Sequence, residues 1–248
     1  MIKIDIRDRV GTITLDRLAR RNAMGSEMVA RFSAALEDLD RNPDVGAMVL
    51  TGDGNTFCAG SDLKELGSMD PAGMAEHERI TAAAVRRMPN LDKPIIAAVE
   101  GYAMGGGFIL ACACDIVVAA GTSKWLLAEV PNGWLPPWGL QPLAAKVGPV
   151  VAKRLTLGHE MQTGADLHRI GLVDYLAEDG QSQALATDHA RRIAALPPAA
   201  VRSTKRFFAP MIAGLAEPLD AAASDAFLEN CTHAPALATL AKFGVRHD

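Results

Sequence analysis

Aromatic residues are scarce in this chain of 248 residues: three Trp, two Tyr and seven Phe. A core so poor in rings must be filled by aliphatic and small side chains, and 43 alanines suit closely packed helices. Cysteine is scarcer still. The four present (Cys58, Cys112, Cys114, Cys231) are too few for a disulfide scaffold and are not spaced as a zinc knuckle. Neither sign of charge dominates: 25 Lys and Arg face 29 Asp and Glu, for a net charge of −4. That balance lacks the basic field a nucleic-acid partner needs. No long hydrophobic run occurs. The most apolar stretch, 108–114, stops at Asp115, far short of the roughly 20 residues that span a bilayer. Residues 1–7 alternate apolar and charged, the pattern of a half-buried strand and not of a signal peptide. A cytoplasmic, reducing location without membrane contact is the resulting expectation. Several motifs are missing too. There is no P-loop, Gly52-Asp53-Gly54 lacks the third glycine of a dinucleotide fingerprint, Ser61 lacks the G-x-S-x-G frame, and the histidines are scattered without metal-ligand spacing.

With 49% hydrophobic and 22% charged residues, the chain has the composition of a globular protein. Strands are expected at 2–7, 10–15, 46–51, 94–99, 116–119 and 125–127. Ser26 is expected to cap a helix that carries Met28, Phe32, Ala35, Leu36 and Leu39 at helical spacing and ends at Asn42-Pro43. Residues 52–62 are expected to form a loop of small residues, with a short helix from Leu63 to Leu66. Residues 67–93 read as a polar helical segment broken by Gly67, Pro71, Gly73 and Pro89, mobile around 67–80. Beyond Gly139 the pattern is almost wholly helical. Strands in the first half and helices in the second indicate an α/β core, 1–196, followed after Pro197-Pro198 by a helical region, 197–248. No short repeat of fixed period is visible.

Two junctions between a strand and a glycine-rich turn stand out: Phe57-Cys58-Ala59-Gly60-Ser61-Asp62-Leu63 and Glu100-Gly101-Tyr102-Ala103-Met104-Gly105-Gly106-Gly107-Phe108. Small residues let backbone N–H groups approach a ligand, and a helix start adds unsatisfied donors. Two such junctions facing one point would make an oxyanion hole. Tight helix–strand packing explains the same glycines equally well.

These segments, with Asn22-Ala23-Met24, Thr51 to Asn55, Lys93 to Val99, Cys114-Asp115-Ile116, Ala128-Glu129, Val147-Gly148 and Gly171-Leu172-Val173, together resemble the crotonase (enoyl-CoA hydratase/isomerase) superfamily over about residues 2–175. The resemblance implies a spiral of ββα units with a helical C-terminal trimerisation region, assembled as a trimer or a dimer of trimers. It implies an acyl-CoA thioester substrate whose carbonyl oxygen sits on the backbone N–H groups of Ser61 and Gly106. It needs no metal and no cofactor, since coenzyme A is part of the substrate. By position, Ala59, Gly60, Asp62, Leu63, Gly105, Ile109 and Trp134 would border the substrate. Asn22, Ala23 and Met24 would lie by the CoA entrance, and Lys64 could neutralise a CoA phosphate. On their own, Asp62 and Asp115 read as capping and loop hydrogen-bonding residues.

One departure bears on the reaction. Hydratases of this superfamily use two glutamates, the first in a G-G-G-x-E pattern. Here Gly105-Gly106-Gly107-Phe108 is followed by Ile109, which has no acid–base function, while the second position is kept as Glu129. A single carboxylate with an apolar neighbour resembles the enoyl-CoA isomerases, in which one glutamate moves a proton from C2 to C4. A carboxylate beside Ile109 and Trp residues should have a raised pKa. The segment Trp134-Leu135-Pro136-Pro137-Trp138 could wall off the acyl pocket. Glu76, His77 and Glu78 could supply a second acid from a lid. An atypical hydratase or lyase, and a catalytically silent acyl-CoA-binding paralogue, stay open as alternatives.

Overall fold

The computed structural model describes residues 1–243; positions 244–248 of the expected C-terminal region lie outside the described residues. The chain opens with a hairpin of β1 (Ile2–Arg7) and β2 (Val10–Leu15), turned by Asp8 and Arg9 at φ 50° and 63°. Positive φ at both turn residues matches the twist of the flanking strands. Helix α1 (Ser26–Arg41) then crosses over, burying Met28, Val29, Phe32, Ala35, Leu36 and Leu39 as one stripe. Its N-cap is Gly25, not Ser26. Ser26 is the first helical residue, and its hydroxyl donates to the Glu65 carboxylate and accepts no N–H of its own helix.

From here the chain makes one move three times. β3 (Ala47–Gly52) leads to β4 (Thr56–Cys58), then to α2 (Leu63–Leu66) and α3 (Pro71–Arg87). β5 (Ile95–Val99) leads to β6 (Tyr102–Met104) and α4 (Gly106–Cys112). β7 (Ile116–Ala120) leads to β8 (Lys124–Leu126), α5 (Glu129–Asn132) and α6 (Leu140–Thr156). The remaining elements are β9 (Gln162–Thr163), α7 (Gly164–Arg169), β10 (Tyr175–Ala177), α8 (Ser182–Ala194), α9 (Pro198–Ala213), α10 (Ala216–Asn230) and α11 (Ala234–Phe243). The first strand of each pair joins a six-stranded sheet of order β1-β2-β3-β5-β7-β10, and the second joins a four-stranded sheet of order β4-β6-β8-β9. The result is the expected spiral of ββα units.

The central strands β3, β5 and β7 are buried on both faces, which is why they read as continuous apolar runs. Helix α8 lies on one face through Ala186, Ala190 and Ala194, against Val49, Ile96 and Val118. Alanine is what allows this approach. A Cβ placed on Gly46 would stand 2.8 Å from that of Ala194. The larger core cluster, from Phe32 through Leu50, Phe57 and Phe108 to Trp125, is separate from the one under α8. Trp125 and Phe108 meet edge to face at 5.2 Å.

Several sequence expectations need correction. The segment around 67–93 breaks at Gly67, Pro71 and Pro89 as expected, but not at Gly73. Gly67 ends α2, Pro71 starts α3, and the N–H of Gly73 is capped by Asp70, so α3 runs unbroken for 17 residues. Strand β4 lies inside the expected loop, and β9 and β10 interrupt the expected helical half. Each has only two or three residues, too few to show a period. No described helix is long and apolar enough to cross a membrane.

Candidate active site

The two glycine junctions converge. Gly60 has φ 87°, and a Cβ there would stand 2.9 Å from the Met104 carbonyl oxygen and 3.0 Å from the Gly106 nitrogen. The turn after β4 and the start of α4 are therefore in contact, and only glycine permits it. The loop carrying Ser61 is pinned from three directions. Met24 N–H donates to Gly60 C=O at 2.8 Å, and Asp62 N–H donates to Met24 C=O at 3.2 Å. Asp62 caps α2 by accepting from the N–H of Lys64 and Glu65, and forms an ion pair with Arg17 at 2.7 Å. Among the described residues, the N–H groups of Ser61 and Gly106 have no backbone acceptor. Both residues line an open cleft that Glu78 and Glu129 also border.

Glu129, the first residue of α5, lies across this cleft. Its Oε1 would stand 2.8 Å from a Cβ on Gly105, where φ is 52° and ψ −125°. The residue as a whole is half-buried, but Oε2 is enclosed and has no hydrogen-bond partner among the described residues. Burial pushes the carboxyl up to about 7, its own backbone N–H opposes this, and the charge of Glu78 adds to the rise. A carboxylate in this state can take and release protons near neutral pH.

The other walls are mostly apolar. Ile109 is 1% exposed and packs against Gly139, so the place where a first glutamate would stand is filled by hydrocarbon. Trp134 is buried and meets Phe227 of α10 edge to face at 6.0 Å. The Trp138 ring covers Gly106, with Cζ2 3.0 Å from where a Cβ would stand. Pro136 and Pro137 complete the wall.

One polar group lies among them. Glu78 of α3 is 2% exposed, lines the same cleft, and accepts a hydrogen bond from Trp138 Nε1 at 2.5 Å. Burial raises its pKa, opposed by His77, Trp138 Nε1–H and the Ser61 hydroxyl. The three candidate lid residues thus separate. Glu76 is exposed and paired with Arg79 at 2.7 Å. His77 is buried, with Nδ1 3.2 Å from Ser26 Oγ. Only Glu78 reaches the cleft.

The other expected site residues divide as follows. Ala59, Gly60, Leu63, Gly105, Ile109 and Trp134 line the cleft. Asn22, Ala23, Met24, Asp62 and Lys64 are not among its walls. Asn22 is fully buried, and its amide donates to the carbonyls of Thr56 at 2.7 Å and Asp53 at 3.1 Å, so it braces the turn before the Ser61 loop. Lys64 is exposed on α2. Asp115 accepts from Ile95 N–H and Lys205 Nζ, tying β5 and α9 together. Sequence reasoning missed Met104 and Phe227 as lining residues. Phe227 lies far away in sequence, and nothing local to it points to the cleft.

Two convergent glycine turns with unpaired backbone N–H groups, facing an enclosed carboxylate on a spiral of ββα units, define a protein of the crotonase fold. Comparison with known proteins agrees. The family described as "Enoyl-CoA hydratase/isomerase" matches residues 5–234. A Mycobacterium leprae protein named "Probable enoyl-CoA hydratase echA8" is 39% identical over 195 residues, covering 75% of this chain and 74% of that one. The 1,2-epoxyphenylacetyl-CoA isomerase of Escherichia coli is 34% identical over 194 residues, covering 76% and 74%. The crystal structure of an enoyl-CoA hydratase from Polaromonas sp. JS666 superposes with a TM-score of 0.81 at 32% identity, covering 94% of this chain and 92% of that one. The chain belongs to the enoyl-CoA hydratase/isomerase family.

Proposed function

We propose that the protein shifts the double bond of an enoyl-CoA thioester through an enolate. The thioester oxygen accepts from the N–H groups of Ser61 and Gly106, which stabilise charge that develops only as C2 loses its proton. Glu129 takes that proton, and protonation at C4 completes the shift. No metal or cofactor enters the scheme beyond the CoA that the substrate carries. The observation that carries this reading is the pairing of an enclosed, unpartnered Glu129 Oε2 with Ile109 where a second glutamate would activate water. Trp134, Pro136, Pro137 and Trp138 add an apolar wall that disfavours hydration.

Hydration is the second reading, favoured by the name of the Mycobacterium leprae relative and by the second carboxylate, Glu78, in the cleft. Initial rates on a 3-enoyl-CoA and on crotonyl-CoA decide between them. Isomerisation dominant is the expected result, and hydration dominant overturns it. Turnover of neither, with acyl-CoA still bound, would make the protein a silent binding paralogue.

The same reading extends to assembly and location. Phe207, Phe208, Met211, Leu215 and Leu219 of the C-terminal region are exposed in the single chain, and burial between subunits of a trimer or a dimer of trimers would cover them. A 26 kDa particle at micromolar concentration in light scattering would overturn this part. Four free, buried cysteines suit a reducing cytoplasm.

A further inference from the structure

We infer that Glu78 is the second proton-carrying residue of this active site, delivered by α3 into the cleft that α4 leaves without a carboxylate. The inference rests on the enolate reading above and assigns the step that reading left open. Glu78 has three features of a catalytic group. It is 2% exposed, in a helix whose other buried positions are mostly apolar. It lines the cleft together with Ser61, Gly106 and Glu129. Its Oε2 is oriented by Trp138 Nε1 at 2.5 Å, and the same indole ring covers Gly106. One rigid ring therefore fixes both an oxyanion donor and the carboxyl relative to it. The buried Trp138 N–H needs an acceptor, but an ionisable carboxyl is a costly one to bury in an apolar cleft. Burial raises the pKa of both carboxyls, which face one cleft and exchange protons as a coupled pair.

The step balances as follows. The C2–H bond breaks, its proton goes to the Glu129 carboxylate, and its electron pair becomes the C1=C2 bond of the enolate. The Glu78 carboxylic acid then gives its proton to C4. The C3=C4 pair forms the new C4–H bond, the C1=C2 pair becomes C2=C3, and the oxyanion returns to a carbonyl. Glu129 leaves the cycle protonated and Glu78 deprotonated, and one proton passing from the first to the second, through solvent, resets the pair.

The test is isomerisation of unlabelled 3-hexenoyl-CoA in D2O by the full-length protein, comparing wild type with Glu78→Gln. The amide keeps an acceptor for Trp138 Nε1. The wild-type product is expected to carry solvent deuterium at C4. In Glu78→Gln, kcat should fall by about 10²–10⁴-fold, and the residual product should carry at C4 the hydrogen that left C2, now returned by Glu129. Glu78→Asp, which keeps an acid, should recover deuterium at C4. An isotope pattern that is the same in wild type and Glu78→Gln overturns the inference, and so does a change in KM with kcat intact. If the wild type hydrates crotonyl-CoA and does not isomerise, the isomerase reading fails alone. Hydration in Glu78→Gln is then the readout: a fall of about 10²-fold supports the role and a fall below about threefold overturns it. Turnover of neither substrate overturns both.

Discussion

The two carboxylates of the cleft are held in opposite ways. Glu129 rests against a glycine, with Oε2 enclosed and no partner. Glu78 is clasped by an indole N–H, and the Ser61 hydroxyl favours its charged form. The first comes from the start of α5, where the family resemblance carries a glutamate. The second comes from the middle of a long helix, where only three-dimensional packing shows what it faces. An unpartnered carboxylate is ready to accept a proton, because nothing must be broken first. A clasped one is fixed in direction, which suits delivery to a defined carbon. The proposed reaction therefore divides proton traffic between a motif and a packing contact.

Removing Glu129 is expected to have the largest effect. Glu129→Gln keeps shape and ligand binding but cannot act as a base, and kcat should drop about 10²–10⁴-fold. Isothermal titration with an acyl-CoA should show affinity close to wild type. Robust turnover in this variant would place the base elsewhere and collapse the contrast between the two carboxylates.

The next effect should come from the glycine wall. Gly105→Ala puts a methyl 2.8 Å from Glu129 Oε1 at a φ of 52°, a conformation that side chains rarely adopt. Gly106→Val crowds Trp138 at 3.0 Å and displaces an oxyanion donor. Loss of one such donor costs about 3 kcal/mol, or about 10²-fold in kcat. Steady-state kinetics on both variants check this. Rates within tenfold of wild type would mean that the glycines serve packing alone.

The same contrast explains what could be read in the sequence. The hairpin, α1, the central strands and the two glycine junctions were legible, because each carries a local signal: alternation, helical spacing, an apolar run, a glycine cluster. The spiral was legible only through the family resemblance. Its three ββα steps differ in length, since α2 and α3 follow β4 while the seven-residue α4 follows β6, so no fixed period exists. The site divided along similar lines. Ser61, Gly106 and Glu129 lie on motifs. Asn22 belonged to a motif too, but its amide braces backbone instead of lining the cleft. In α3, Glu76, His77 and Glu78 are adjacent and chemically alike, and helical rotation gives each a different environment. Sequence alone could not choose among them without knowing which face of α3 meets Trp138.

A smaller effect should appear in stability. Glu129 holds its proton more tightly when folded, at about 7, than at the ordinary value of 4.5. The folded state is thus favoured most at low pH, where the group is protonated in both states. This contribution is lost as pH rises from about 4.5 through about 7, by at most about 3 kcal/mol. Glu129→Gln has no such proton to lose. Urea midpoints at pH 5 and pH 8 should therefore differ less in the variant than in wild type, in the sense that the variant gains relative stability at pH 8. An equal difference in both proteins would show that Glu129 is not held in a desolvated state. Catalysis should run the other way. The base form of Glu129 is required, so kcat/KM should rise with pH through about 7, and the need for an acid at Glu78 should make it fall again at higher pH.

The smallest effect belongs to Ser61, where the backbone and the side chain have separate tasks. The N–H faces the cleft as an oxyanion donor, and alanine supplies the same group. The hydroxyl favours the charged form of Glu78. Ser61→Ala removes that influence and leaves Glu78 more firmly protonated, which suits a proton donor. The Trp138 bond still fixes its direction. Activity should therefore stay within about threefold of wild type, a barrier change below about 1 kcal/mol. The check is kcat/KM for Ser61→Ala beside Gly106→Val in the same assay. If the two variants are equally damaged, the Ser61 hydroxyl takes part in the chemistry. The division between a backbone wall that holds the oxyanion and a side-chain wall that carries protons would then have to be redrawn.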